Sequence, residues 1–485
     1  MKTQEWESTF EELAEKVIKE SRAPGFVMGV NLDGKSLYRK GFGYRDVEHQ
    51  LEITPDTVMG LASVTKSFTC MAIMQLQEAG KLSVHDPVLT YLPQFRTPDR
   101  QKTEQMTIHH FMTHSAGLPP LPVDLLAIKH SLLDTLPEEA NPIHKFLKKE
   151  DQKPIHTYQE FIEVLSKVDY EMLGSPGQHF SYSNDGYSLL GAIIAEVSGK
   201  PYEVYVKEHI LEPANMPSST FLLSDLPRFP DVTTIYHMRD KQGASELYPD
   251  PNWEDGLPVA ASGHLNSTVR DMLNYAEIFR TGGMVGTERI LSEESVRQMT
   301  LPHIECNYKR YYGYGLEVAP NYYGGTLLEH GGAIKGVAAH LSIIPERGIT
   351  TMALANLIGT PVEKLTLAAL NLFEGREADL PLLTYGEYPA STNRFEEYAG
   401  RYVSGEGMDV SITVEDEVLT LINNTAYFSS DKGAKCPLVP IAEDYFLARM
   451  DGSDLTIGFT NGDDGKVKAL AFAYRQIPKV LPAEV

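Results

Sequence analysis

At 485 residues, with 42% apolar and 22% charged side chains, the chain has the composition of a folded globular protein and the length for two domains. Its formal charge of −23, from 66 acidic against 43 basic residues, repels nucleic acid and anionic membrane surfaces, which leaves small neutral or cationic molecules and peptides as partners. Three widely separated cysteines, Cys70, Cys306 and Cys436, encode neither a disulfide framework nor a cysteine-rich zinc site and fit a reducing compartment.

The first 21 residues are polar with helical spacing and lack the apolar core of a secretory signal, which predicts a cytoplasmic location. No uncharged apolar run reaches the length of a membrane-spanning helix, so membrane insertion is not expected. Residues 5–22 predict a surface helix that stops before Pro24-Gly25, and Phe26 to Asn31 predict a strand turned by Asp33-Gly34. From Ser63 to Ala79 the apolar positions Phe68, Met71, Ala72, Ile73 and Leu76 keep the spacing of a buried helix ending at Gly80, with Ser63 at its start. Residues 121–156 mix helical pieces with charged, proline-containing stretches and predict an excursion from the core. Asn184 or Asp185 can cap a helix running to Gly199, and a further helix is expected from Thr268 to Arg280.

After His330 the segments VAAHLSII and ITTMALAN, joined by PERG, predict two antiparallel strands, covered by a helix over 362–374. The sum is an α+β arrangement, a sheet of early and late segments with a helical subdomain inserted between them. Residues 379–393, rich in proline and small polar side chains, predict a linker between a first domain over 1–378 and a second over 394–485. Short alternating runs such as DVSITV, VLTLI, YFLARM and LTIGF make the second a small antiparallel β-barrel. This domain can supply loops to an active site, shield it or mediate self-association, so a homo-oligomer stays open.

A serine hydroxyl is a weak nucleophile at neutral pH and needs a base within reach and donors for the oxyanion. Ser63-Val64-Thr65-Lys66 places a lysine one helical turn after a serine at a helix start. Alone, this spacing arises by chance in a chain this long, as Ser429-Ser430-Asp431-Lys432 shows in a turn between expected strands. Tyr182-Ser183-Asn184 leads into a helix, and a tyrosine beside a lysine ammonium can have its pKa lowered and act as a base. With 25 tyrosines present, Tyr182 stands out only by its neighbours. His330-Gly331-Gly332-Ala333 enters an apolar strand, where Gly331 and Gly332 let the backbone approach a substrate and the next N–H can face an oxyanion.

The three motifs in this order resemble the serine β-lactamase and penicillin-binding-protein superfamily, in its class C β-lactamase-like branch of D-aminopeptidases, carboxypeptidases and esterases. FMTHSAGLPP at 111–120, SPGQHFSYSN and ASGHLNSTVRDMLNY at 261–275 share the likeness, which covers roughly residues 8–375. The tail resembles the lipocalin-like domain some members carry. The resemblance implies a β-lactamase/transpeptidase-like fold with Ser63 as acylated nucleophile, Lys66 as its proton partner and Tyr182 as base. It further implies Asn184 as substrate-orienting amide, His330 as third-motif residue, and the backbone N–H groups of Ser63 and Ala333 as oxyanion hole. His330 stands where the β-lactamases carry lysine, which favours a peptidase or esterase acting on short peptides, including D-residue peptides, or small esters. Neither metal nor organic cofactor is needed for that chemistry. The same acyl-enzyme also serves an acyltransferase, or a penicillin-binding sensor without turnover.

His109, His110 and His114 approach zinc-ligand spacing, but no acidic ligand stands at a matching helical position and their THSAGLPP context resembles a structural turn, so a metal is not expected there. No G-x-S-x-G elbow and no phosphate loop occur. Tyr311, Tyr312, Tyr314, Tyr322 and Tyr323 form an aromatic stretch that lines a pocket or a packed edge.

Overall fold

A computed structural model describes residues 3–133, 142–241, 244–386, 388–389, 392–424, 433–450, 453–462 and 464–480. Ser429 to Lys432 and most of the proline-containing stretch around 138–142 lie outside these residues.

The first body is built on a nine-stranded antiparallel sheet. Its strands run in the order 304–307, 310–312, 317–322, 325–334, 337–344, 349–355, 25–32, 35–46 and 51–52, so early and late chain segments meet where Gly25–Leu32 pairs with Ile349–Ala355. Every residue of Val337–Ile344 and Ile349–Ala355 is buried, which explains their continuous apolar runs in place of alternation: both faces of the central strands are covered. Helices Thr3–Ser21 and Val362–Phe373 cover one face and share a core of Trp6, Phe10, Phe26, Met28, Ala353 and Leu365. Helix Val269–Thr281 lies on the other, its Thr268 cap accepting from the Asp271 N–H at 3.1 Å, and joins the helical subdomain core.

Two local expectations are corrected. Ser63 belongs to a 3₁₀ turn, Ala62–Val64, and the α-helix begins only at Thr65, running to Glu78. The helix Asn184–Ser198 is capped by Ser183 instead of Asn184 or Asp185: its Oγ accepts from the Gly186 N–H at 3.0 Å, which frees the Asn184 side chain for other partners. The Thr65–Glu78 helix is held from behind by Tyr275, whose ring stacks on Phe68 at 3.7 Å between centroids and whose hydroxyl donates to Ser67 Oγ at 2.9 Å. Such a stack contributes about 0.5–1.5 kcal/mol beyond its buried area.

Beyond residue 392 the chain forms an eight-stranded antiparallel barrel whose neighbouring strands are consecutive in sequence, from Gly400–Val403 to Arg475–Pro478. It closes where Tyr402 bridges to Lys479 and the Val480 N–H donates to the Arg401 carbonyl at 2.8 Å. Phe395, Tyr398, Tyr402, Phe446 and Phe459 fill it, with Tyr398 stacked on Phe459 at 4.3 Å. The last hairpin turns at Ala473-Tyr474, both with positive φ (47° and 64°), the conformation of a two-residue hairpin turn usually given to glycine or asparagine. That tip leans on the first body, where the Tyr182 N–H donates to the Tyr474 carbonyl at 2.9 Å and the Tyr474 hydroxyl to Glu317 Oε2 at 2.7 Å. Gly405, in another barrel loop, sits so close to Pro120 that an added Cβ would meet its carbonyl oxygen at 2.9 Å.

Candidate active site

The site begins with strain. Ala62 has a left-handed backbone, φ 48°, an uncommon state for a residue with a Cβ, and it projects Ser63 out of the turn half-exposed. The turn is clamped by two glycines. A Cβ on Gly332 would lie 2.4 Å from the Leu61 carbonyl oxygen and 3.2 Å from Ser63 N, and one on Gly263 would lie 3.5 Å from the Ala62 carbonyl carbon. Gly332 therefore lies against the backbone of Ser63, with exposed Ala333 next along the strand Gly325–Ile334.

Lys66 is fully buried one turn after Ser63. Its Nζ donates to Asn184 Oδ1 at 2.8 Å and to the Ser262 carbonyl at 2.6 Å, and lies 3.2 Å from Ser63 Oγ. Burial first, and the nearby Arg475 guanidinium second, hold its pKa well below the usual lysine value. When the amine is neutral, its two protons go to Asn184 and Ser262 and its lone pair faces Ser63. Asn184 is fixed at both ends, since its Nδ2 donates to Asp124 Oδ2 at 3.1 Å. Asp124 is itself pushed up to about 7, by burial first and then by Glu406 of the barrel.

Tyr182 is buried beside Ser63 and hydrogen-bonds to its hydroxyl. The expectation that lysine lowers its pKa is corrected: desolvation dominates and raises it, while the Ser63 contact and Arg475 pull the other way. Two basic side chains flank the phenol, with Lys66 Nζ 4.7 Å and Arg475 Cζ 4.6 Å from the ring centroid. His114 stacks on the same ring at 4.2 Å and its Nδ1 accepts from the Ser183 N–H at 3.0 Å, which fixes the loop leading to Asn184.

His330 is brought to the same site, its ring 6.3 Å from that of Tyr182. Both ring nitrogens are engaged, Nε2 with the Tyr312 hydroxyl at 2.9 Å and Nδ1 with the Gly331 carbonyl at 2.6 Å. Burial, reinforced by Lys66, lowers its pKa to about 3, so it stands neutral at physiological pH. The carbonyl can only accept, so Nδ1 carries the proton and Nε2 accepts from Tyr312. Of the tyrosines flagged in sequence, Tyr312 thus joins the site, whereas the hydroxyl of Tyr314 bonds to His109 Nδ1 at 2.8 Å. His109, His110 and His114 turn to three separate partners, His110 closing a capping box with Thr107.

The structure adds Asp124, Glu406 and Arg475, which no motif marked, and gives His114, Ser262 and Tyr312, each in a stretch noted in the sequence, a place at the site. Arg475 Nε donates to Glu406 Oε2 at 3.0 Å, so the barrel delivers an ion pair whose guanidinium lies over the Tyr182 ring. Its electrostatic effect is checkable. Arg475→Gln removes a positive charge and leaves Glu406 unpaired, and both changes raise the Lys66 pKa. The acidic limb of kcat/KM against pH moves upward by on the order of half to one unit. An unmoved limb would show that the barrel charge pair does not act on Lys66.

An antiparallel sheet flanked by helices, with a serine and a buried lysine sharing one helix start and an asparagine and tyrosine facing them, defines the β-lactamase and penicillin-binding-protein class of fold. The Beta-lactamase family model matches residues 8–373, and the chain belongs to that family. Penicillin-binding protein 4* of Bacillus subtilis is 24% identical over 446 residues, covering 89% of each chain. The human mitochondrial serine beta-lactamase-like protein LACTB is 29% identical over 315 residues, 57% of this chain and 56% of its own, so the chain spans little more than half of that relative. The solved octameric penicillin-binding protein homologue from Pyrococcus abyssi superposes with a TM-score of 0.66 at 30% identity, covering 97% of this chain and 99% of that one. Among the described residues no helix is long and apolar enough to cross a membrane.

Proposed function

We propose that this protein is a serine hydrolase that forms an acyl-enzyme at Ser63 and releases it to water, acting on amide or ester bonds of small substrates such as short peptides. The observation that carries this reading is the Lys66 amine, held by two acceptors with Ser63 Oγ at its remaining position. Ser63 Oγ attacks the carbonyl carbon as its proton passes to the neutral Lys66. The carbonyl oxygen becomes an oxyanion received by the N–H groups of Ser63 and Ala333. Tyr182, protonated and hydrogen-bonded to Ser63, passes a proton to the leaving group and recovers it from Lys66, whose ammonium lies over its ring. Deacylation repeats the steps with water as nucleophile. Asn184 orients Lys66 and offers its amide to the substrate, Gly331 and Gly332 let the substrate backbone approach the strand, and neutral His330 closes the wall through Tyr312.

The test is intact-protein mass spectrometry after exposure to a fluorophosphonate, a labelled penicillin and a p-nitrophenyl ester, followed by peptide mapping. A stoichiometric adduct on the peptide carrying Ser63 is expected. An adduct elsewhere, or none with any probe, removes the acyl-enzyme reading. The pattern among the three probes ranks β-lactam, amide and ester chemistry.

A further inference from the structure

Glu329 and His330 are neighbours on one strand and therefore face opposite sides of the sheet. His330 faces the catalytic site, and Glu329 faces the layer formed by helix Val362–Phe373. On that second side, Glu329, His340 of the adjacent strand and Glu363 of the helix each offer a ligand atom, all within 4.8 Å of one another.

Three features separate this cluster from a chance meeting of acids. Glu329 is 1% exposed, yet its Oε2 has no hydrogen-bond partner, while Oε1 takes the Arg310 guanidinium at 2.5 Å. His340, 2% exposed, bonds Ser342 Oγ through Nδ1 at 3.2 Å. In the tautomer that donates Nδ1–H to that hydroxyl, which is the form that leaves Nε2 able to ligate, the Nε2 lone pair faces Glu329 Oε2 at 3.5 Å. Two facing acceptors need something positive between them, and 3.5 Å is too long for a shared proton. It matches two ligand atoms of one tetrahedral cation bound at about 2.0–2.2 Å, which stand about 3.3–3.6 Å apart. Finally, the single guanidinium of Arg310 serves Glu317 at 2.7 Å and Glu329 at 2.5 Å together, and the Glu363 carboxylate stands within the same cluster. One guanidinium thus serves two buried carboxyl groups, with a third beside them.

We propose that Glu329, His340 and Glu363 form a binding site for a divalent transition-metal cation of the zinc or manganese type. One imidazole and two carboxylates are the donor set such ions take, and exposed Glu363 leaves an entry path and room for water ligands. The ion ties helix Val362–Phe373 to the strand that carries the third motif and to its neighbour, because His340 pairs directly with Gly331 across the sheet. Its role is to hold that strand pair in place and not to touch the substrate.

The experiment uses the full chain stripped with a chelator, titrated with zinc chloride and with manganese chloride by calorimetry, alongside thermal unfolding. One saturable equivalent, accompanied by a rise in Tm, is expected in the wild type. Glu363→Gln, an exposed change that leaves the fold intact, weakens binding by about tenfold or more and reduces the Tm rise. His340→Asn abolishes both, and X-ray absorption of the zinc form shows a nitrogen and oxygen shell without sulfur. No saturable equivalent in the wild type, or unchanged binding in both variants, overturns the site.

Discussion

Lys66→Met lowers kcat/KM by about 10⁴-fold for any substrate that acylates Ser63, because it removes the group that accepts the serine proton while keeping a side chain of similar volume. The loss falls on acylation, so covalent labelling slows in step with turnover. In the wild type, kcat/KM falls on the acid side as Lys66 becomes protonated, and that limb is absent from the variant. Stability carries a second signature. The Lys66 pKa is lower in the folded chain than in the unfolded one, so the unfolded state binds the extra proton and the penalty is fully present below the folded pKa. Stability then rises as pH climbs from the depressed folded value toward the ordinary lysine value of about 10.4. Lys66→Met lacks this contribution, and chemical denaturation at a series of pH values between neutral and 10 reads the difference. A variant within tenfold of wild type, with its acidic limb intact, assigns the proton transfer to another group.

Gly332→Ala is expected to cost about 10²-fold in kcat/KM and to lower Tm, although it adds one methyl group. The Cβ would stand 2.4 Å from the Leu61 carbonyl oxygen and 3.0 Å from the Ala62 Cβ, and both contacts are with the nucleophile turn, so relief has to come from moving the turn or the strand. A shift of a few tenths of an ångström to an ångström at a nucleophile costs this much through lost alignment. Gly331→Ala is the comparison: its nearest neighbour is His340 Cδ2 at 3.9 Å, ordinary contact, so its loss is much the smaller. Equal losses at both positions would falsify the close-approach argument and point to a general need for glycine in this strand.

What could be read in the sequence follows from distance along the chain. Ser63 and Lys66 stand one helical turn apart, so their meeting is dictated locally, and the helix Asn184–Ser198 shows in its apolar spacing, although its cap is Ser183 and not Asn184 or Asp185. The buried strands Val337–Ile344 and Ile349–Ala355 declare themselves by unbroken apolar runs. The pKa directions could not be read that way, because they depend on how completely Tyr182 and Lys66 are desolvated, which only packing decides. Asp124 and Arg475 carry no local signal: an aspartate after a proline-rich turn and an arginine in a hairpin are ordinary until the fold sets them around Asn184 and Tyr182. Ser262 contributes a main-chain carbonyl, which any residue type could supply. Glu329 was a missed hint, since a charged residue in an otherwise buried strand signals a specific partner.

The hairpin tip at Ala473-Tyr474 has a consequence for biosynthesis. The Tyr182 N–H finds its acceptor in the Tyr474 carbonyl, 292 positions later in the chain, and Arg475 follows directly after. A ribosome emits roughly 5–20 residues each second, so the serine, lysine and tyrosine leave it many seconds before the residues that finish their surroundings. During that interval the nascent chain holds Ser63 and Lys66 without the Arg475 guanidinium, which adds to burial in lowering the Lys66 pKa. The surroundings of Tyr182 are thereby completed only once the last strands have emerged and closed the barrel.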